Sequence, residues 1–207
     1  MPRIKADTVA DHVAHQRAAV LDAAVHLFTT RGYADVSLAD IAAEVGLARS
    51  SLYRYVPDKL HLLVEWYLAA VPRTIADWEA AVAGEGTPAD RVKRWARTYL
   101  TWAESPEHQL VAPLTESLAQ LDDATRANIL SLHRTMMEVV NRVVATAGIP
   151  DDQIPGTVEL LAGATLGVGR AEARQGRADP SLRRRLDATI DAALDWGEAN
   201  PDLVDGA

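Results

Sequence analysis

Apolar residues return at intervals of three and four along almost the whole chain, and runs that alternate apolar with polar are missing. That rhythm belongs to α-helices, where positions i, i+3 and i+4 share a face. Glycine and proline cut it at Gly32, Gly46, Pro57, Gly84 to Pro88, Ser105-Pro106, Gly148 to Pro150 and Gly176 to Pro180. The reading is all-α, with about nine helices, three short and six longer.

Helix one carries Val13, Val20, Ala24, Leu27 and Phe28 on one face, with a possible Thr8/Asp11 capping pair, fraying before about His15, and ends at Gly32. Ser37 with Asp40 caps a second helix whose stripe is Ile41, Ala42 and Val45, stopped by Gly46. A third spans 48–56 and is stopped by Pro57, which has no N–H and disfavours a helical residue before it. Asp58 caps a long fourth helix, which Pro72 is expected to kink or split because the carbonyl of Leu68 loses its partner. Further helices are expected over about 89–104, 107–120, 123–147, 156–175 and 181–198.

With 207 residues, 48% of them hydrophobic, the chain can bury a core of one or two domains. Its net charge of -8 is uneven: residues 1–60 hold seven bases and seven acids, so the excess acid lies wholly beyond them. With no cysteine, disulfides, thiolate metal sites and thiol catalysis are excluded. The N-terminus lacks the apolar core of a signal peptide, and the most apolar stretch, 158–168, is far short of the roughly 20 residues a membrane span needs. These features predict a soluble, cytoplasmic protein.

Two short helices joined at Gly46 behind a supporting helix have the dimensions of a helix-turn-helix, whose second helix enters the DNA major groove. Rotating helix three by about 100° per residue gathers Ala48, Leu52, Tyr55 and Val56 on a docking side. Arg49, Ser50, Tyr53 and Arg54 fall opposite, with Ser51 at the edge. Arginine forks onto guanine, and serine and tyrosine hydroxyls reach the phosphate backbone. Ser37 and Lys59, each at a helix start, would add phosphate contacts. Composition alone fits a solvated face equally well.

Order and spacing weigh further. The stretch from Val20 to Lys59 contains Ala-Ala-x-x-Leu-Phe at 23–28, Arg31-Gly32-Tyr33, Ser37, Ile41-Ala42-x-x-x-Gly46, Leu52-Tyr53-x-Tyr55 and Pro57-x-Lys59. It resembles the DNA-binding domain of TetR/AcrR-family transcriptional regulators. The resemblance implies a recognition helix at 48–55 and DNA contacts from Ser37, Arg49, Ser51, Tyr53, Arg54 and Lys59. The chain departs from the family pattern at Ala48, usually Ser or Thr, and at Ser50, Val56 and Leu60. Without a capping side chain at 48, the recognition helix loses about 0.5 to 2 kcal/mol at its N-terminus unless Ser50 or DNA satisfies its amides.

The resemblance further implies a three-helix domain at 1–60, an effector-binding and dimerisation domain at 61–200 and a tail at 201–207. Dimer-contact candidates are Leu161, Thr165, Leu166, Leu186, Ile190 and Leu194, on stripes that suit a four-helix interface or, almost equally, the chain's own core. Arg183 to Arg185 read as solvent-facing or intersubunit residues. Candidate effector contacts are Trp95, Tyr99 and Trp102, one helical face, opposite His133, Met136, Met137 and Asn141, all of which ordinary core packing also explains. No catalytic motif, metal-ligand spacing or cofactor loop occurs, so neither an enzyme nor a cofactor is expected. The expected partners are a palindromic operator in double-stranded DNA, a small-molecule effector and a second copy of the chain, with repression the implied mode. The alternative is a small-molecule-binding or interaction module that has lost specific DNA binding.

Overall fold

A computed structural model describes residues 3–195, and their side chains from Asp11 onward. Among the described residues the fold is nine α-helices with short 3-10 turns and no strand. The helices are α1 (Arg3–Arg31), α2 (Leu38–Glu44), α3 (Arg49–Leu52), α4 (Lys59–Val82), α5 (Pro88–Ala103), α6 (Val111–Ser117), α7 (Asp123–Val144), α8 (Ile154–Gln175) and α9 (Pro180–Leu194).

Most boundaries fall where the chain's capping signals place them. Thr87 and Asp90 form a capping box ahead of α5, and Asp179 accepts from the amides of Ser181 and Leu182 to open α9. Some readings of the helices resolve differently. Helix α1 begins at Arg3, so the Thr8/Asp11 pair lies inside it. The segment 107–120 is a 3-10 turn at Pro106–Leu110, the short α6, and a second 3-10 turn at Leu118–Gln120. Helix α4 runs through Pro72 without splitting; a proline inside a helix costs one backbone bond, and neighbouring packing can carry it. The expected last turns of the final helix, including Gly197, and the tail at 201–207 lie outside the described residues.

The chain divides into two compact units that are not consecutive blocks. One comprises residues up to Ala70 with Pro106–Ile129, the other Val71–Ser105 with Leu130 onward. The first unit therefore recruits the segment around α6 in addition to 1–60. Gln109 donates through its amide to the carbonyl of Thr29 at the end of α1 (2.8 Å), and Leu110 and Leu114 are buried beside it in sequence. The core of this unit is built from Val20, Ala24, Leu27, Phe28, Ile41, Leu52, Leu62 and Leu63, each almost wholly excluded from solvent. Arg17 grips Glu65 with two nitrogens (Nε 2.9 Å, Nη2 3.0 Å), tying α1 to α4.

In the second unit α5, α8 and α9 pack on one another. Their contact consumes Leu161, Thr165, Leu186, Ile190 and Leu194, all buried in the single chain. Five side chains of the expected dimer contact are thus already buried within one chain. Of its six residues only Leu166 retains partial exposure, because the apolar stripes face α5 and each other. The outward face of α8 instead carries Gly156, Leu160, Gly163 and Gly167, with Leu160 60% exposed. Two arginines of α5 close the end of α4: Arg91 donates to the carbonyl of Val82 (2.9 Å) and Arg94 to those of Ala81 (2.8 Å) and Ala83 (3.2 Å). Positive charge is favourable there because the C-terminal carbonyls carry the negative end of the helix dipole.

Arg183 is neither free nor held for a partner chain. It donates to both oxygens of the buried Glu172 (2.9 and 2.8 Å) and to Glu104 (3.0 Å), while Glu172 also accepts the amide of Asp179 (2.6 Å). These bonds, Arg183 first, hold the Glu172 carboxyl below its ordinary range despite burial. A depressed folded-state pKa stabilises the fold above the unfolded value of about 4.3, and that stabilisation fades as pH falls through the folded value. Glu172→Gln is expected to lower unfolding stability by about 2 kcal/mol at neutral pH. Urea titrations at stepped pH should show the gap between variant and parent closing below about pH 4.

Candidate nucleic-acid interface

The site begins with how α2 is closed at both ends. Ser37 accepts the amide of Asp40 (3.3 Å), and the Asp40 carboxylate accepts the amide of Ser37 (2.8 Å) as well as its hydroxyl. Those bonds pull the Asp40 carboxyl below its usual value. The Ser37 hydroxyl, expected at a phosphate, is here the cap of α2. At the other end Leu47 donates to the carbonyl of Ala42 (2.8 Å) and Gly46 to that of Ala43 (3.2 Å), the paired bonds of a Schellman turn. Gly46 sits at φ +68°, where a side chain costs about 1 to 2 kcal/mol. The turn redirects the chain into α3.

Regular helix in α3 covers only Arg49–Leu52, less than the expected 48–56, although hydrogen-bonded turns continue to Val56. Ala48 makes no side-chain cap, and Pro57 removes the next donor. The rotation argument places most side chains correctly. Leu52 and Val56 are buried and Tyr55 half-buried, whereas Arg49, Ser50, Tyr53 and Arg54 are exposed and Ser51 lies at the edge. Ala48, assigned to the docking side, is exposed as well, since it precedes the first helical turn. Arg49 reaches the Tyr53 hydroxyl at 3.4 Å, one turn along, and the Arg54 guanidinium lies 6.0 Å from the Tyr55 ring. The outcome is a shallow ridge with two guanidiniums and a phenol outward, anchored from beneath by Leu52 and Val56.

Lys59 has an internal task that sequence reading did not anticipate. Its ammonium donates to the carbonyls of Tyr33 (2.7 Å), Val36 (3.1 Å) and Ala34 (3.3 Å) and lies 4.4 Å from the Tyr33 ring. All three of its protons meet the loop between α1 and α2, so the residue expected to reach a phosphate fastens the helix-turn-helix to the start of α4. Tyr33 in turn packs edge-on against Phe28 at 5.0 Å. The spacing Tyr33 to Lys59 holds no local signal for this contact, because it joins residues 26 positions apart.

Comparison with known proteins decides what this arrangement is. Residues 20–66 match the sequence profile of bacterial regulatory proteins of the tetR family. Over these residues the chain is similar to the tetR family. The match takes in α2, α3 and the Lys59 anchor, and contains the whole 20–59 motif. A curated relative, the HTH-type transcriptional repressor KstR of Mycolicibacterium smegmatis, is 34% identical over 77 residues, 37% of this chain. The matched stretch spans 38% of that relative's length. Solved structures extend the likeness of fold to the rest of the molecule. A tetR-family regulatory protein of Rhodococcus RHA1 aligns with TM-score 0.63 at 21% identity, over 86% of this chain and 95% of its own. SCO4454, a TetR-family regulator of Streptomyces coelicolor, aligns with TM-score 0.67 at 20% identity, over 93% and 94% of the two chains.

The expected effector residues are only partly brought together. Trp95, Tyr99 and Trp102 form one run of rings with Trp78 of α4, at centroid separations of 5.0 to 5.8 Å. Burial pushes the Tyr99 phenol up to about 12, so it stays neutral at any physiological pH. On α7, Met136 is buried, Met137 and Asn141 half-buried and His133 exposed. Asn141 donates to Glu138 of its own helix (3.3 Å). Sequence reading missed Trp78, although its place on the apolar stripe of α4 marked it as internal. The indole N–H groups of Trp78 and Trp95 and the hydroxyl of Ser105 are buried with no hydrogen-bond partner; each such group costs about 1 to 3 kcal/mol.

Lys59→Met, which keeps the stem and removes the three carbonyl bonds, is expected to destabilise the first unit by about 1 to 3 kcal/mol. Amide hydrogen exchange should report it as faster exchange in α2 and in the 32–36 loop, with the second unit unchanged.

Proposed function

We propose that the protein is a repressor that binds, as a homodimer, a two-fold symmetric operator and leaves it when a small-molecule effector binds the second unit. The observation that carries this reading is the α3 ridge: Arg49, Tyr53 and Arg54 outward on a helix held from beneath by buried Leu52 and Val56, within the segment that matches the tetR family. In an acidic chain, exposed cations concentrated on the helix that follows a Schellman turn are suited to base edges and phosphates. The exposed amides at the uncapped start of α3 are donors that a phosphate satisfies, so the missing cap at Ala48 is repaired on DNA. KstR is a transcriptional repressor, and that relationship supports repression as the mode. No helix among the described residues is long and apolar enough to cross a membrane, which accords with a regulator working in the cytoplasm.

A dimer supplies two α3 ridges for successive major grooves, about 34 to 36 Å apart. Its contact is best sought on the outward face of α8, where Leu160 is exposed and Gly163 and Gly167 leave open space above the helix backbone. Helix α4 contributes residues to both units, and Pro72 falls just past the last α4 residue of the first. We assign α4 the part of lever, with Pro72 the point at which a small change of helix geometry costs least.

Two experiments test this. Arg49→Ala with Arg54→Ala is expected to weaken binding to operator fragments selected from genomic DNA at least tenfold and to flatten the salt dependence by about two charges. An unchanged slope would favour a binding module without DNA recognition. Leu160→Asp is expected to convert the dimer to a folded monomer by light scattering, whereas Leu161→Asp, aimed at the chain's own core, should fail to fold.

A further inference from the structure

Among the described residues of the second unit, three buried side-chain polar atoms have no partner, and two of them belong to one feature. Trp78 and Ser105 line a groove of about 530 Å³ whose walls come from α4 and α5. Native structures rarely leave buried donors unsatisfied, and two bordering one groove ask for a common explanation. The Thr98 and Thr101 hydroxyls, also on the wall, donate to carbonyls of their own helix, at Arg94 (3.2 Å) and Arg97 (3.1 Å). The indole and the serine hydroxyl have no such outlet.

We propose that this groove binds a compact, largely apolar molecule presenting a carbonyl or carboxylate oxygen, with the Trp78 indole N–H and the Ser105 hydroxyl as its donors. The surroundings suit that chemistry. Trp102 borders the groove, and the buried Trp78 ring lies behind it, with Tyr99 packed against both. Arg97 and Asp77 stand on the same groove with opposite charge, so its rim does not commit the ligand to an ionic form. Arg97 is already bound to Asp187 (3.1 Å), which leaves the two neutral donors to fix the ligand's orientation. Both donors are covered in this conformation, so binding requires α4 and α5 to part slightly around Trp78. That movement would be made on the helix assigned above as the lever. The inference rests on the regulator reading and locates its effector in this groove, sharing only Trp102 with the effector set expected from sequence.

The test uses the full-length protein, without DNA, and benzoate, benzamide and toluene as probes. The chain has five tryptophans, so a proton–nitrogen spectrum carries five indole signals, assigned by single Trp→Phe variants. Benzoate or benzamide is expected to move the Trp78 indole signal downfield in a saturable manner, and toluene, which has no acceptor, is not. Benzoate alone responding assigns the carboxylate form, and both responding assigns the carbonyl. Ser105→Ala is expected to weaken the response about tenfold while leaving the melting temperature equal or higher, because it removes a buried group that has no partner. A Trp78 signal unmoved by either acceptor probe overturns the proposal. So does a Ser105→Ala variant that melts several degrees lower, which would mark the hydroxyl as structural. Operator retention is measured in a separate assay on the same preparation: a protein that holds DNA with a silent Trp78 overturns the groove and keeps the regulator, and the converse result overturns the regulator and keeps the groove.

Discussion

Every α-helix leaves its first four N–H and last four C=O groups without partners inside itself, and a protein made of helices stands or falls on how those ends are closed. Here side chains carry out the closure at several reversals. Ser37 with Asp40 and Thr87 with Asp90 form capping boxes, Asp179 opens α9, and Arg91 and Arg94 cover the carbonyls at the end of α4. At the turn into α3 the backbone closes itself through the positive φ of Gly46. Lys59 carries a charge into the loop after α1 to meet three carbonyls at once.

The same requirement links the fold to the nucleic-acid face. Ser37 caps α2 and Lys59 bonds the carbonyls of the 33–36 loop beneath the ridge, while Arg49, Tyr53 and Arg54 stand exposed on it. The start of α3, at Ala48, has no side-chain cap, and it belongs to the helix proposed to meet a phosphate-rich partner. Stability and recognition are thus divided between neighbouring residues of one short segment.

A second economy operates in the C-terminal unit. Burying Glu172 is tolerable because Arg183 and the amide of Asp179 meet its oxygens, joining the end of α8 to the start of α9. Burying the indoles of Trp78 and Trp95 without acceptors is a cost the structure bears openly. The contrast between a fully satisfied buried carboxylate and unsatisfied donors in one unit is what directs attention to the α4–α5 groove.

Periodicity, caps and breakers were enough to read the helices, the turn at Gly46 and the outward face of α3, because all of these depend on residues within a few positions of one another. The order of the 20–59 motif was likewise legible, and it led to the family. What the sequence could not convey was what each buried face packs against. Leu161, Thr165, Leu186, Ile190 and Leu194 make a stripe that fits a partner subunit or the chain's own helices equally well, since the hydrophobic effect rewards loss of water and not the identity of the neighbour. Tertiary packing chose α5. It also turned Lys59 and Arg183 inward, onto acceptors 26 and 11 residues away, and assembled one unit from two separated stretches of chain. Local spacing is blind to such contacts, because they depend on where the chain returns after several helices.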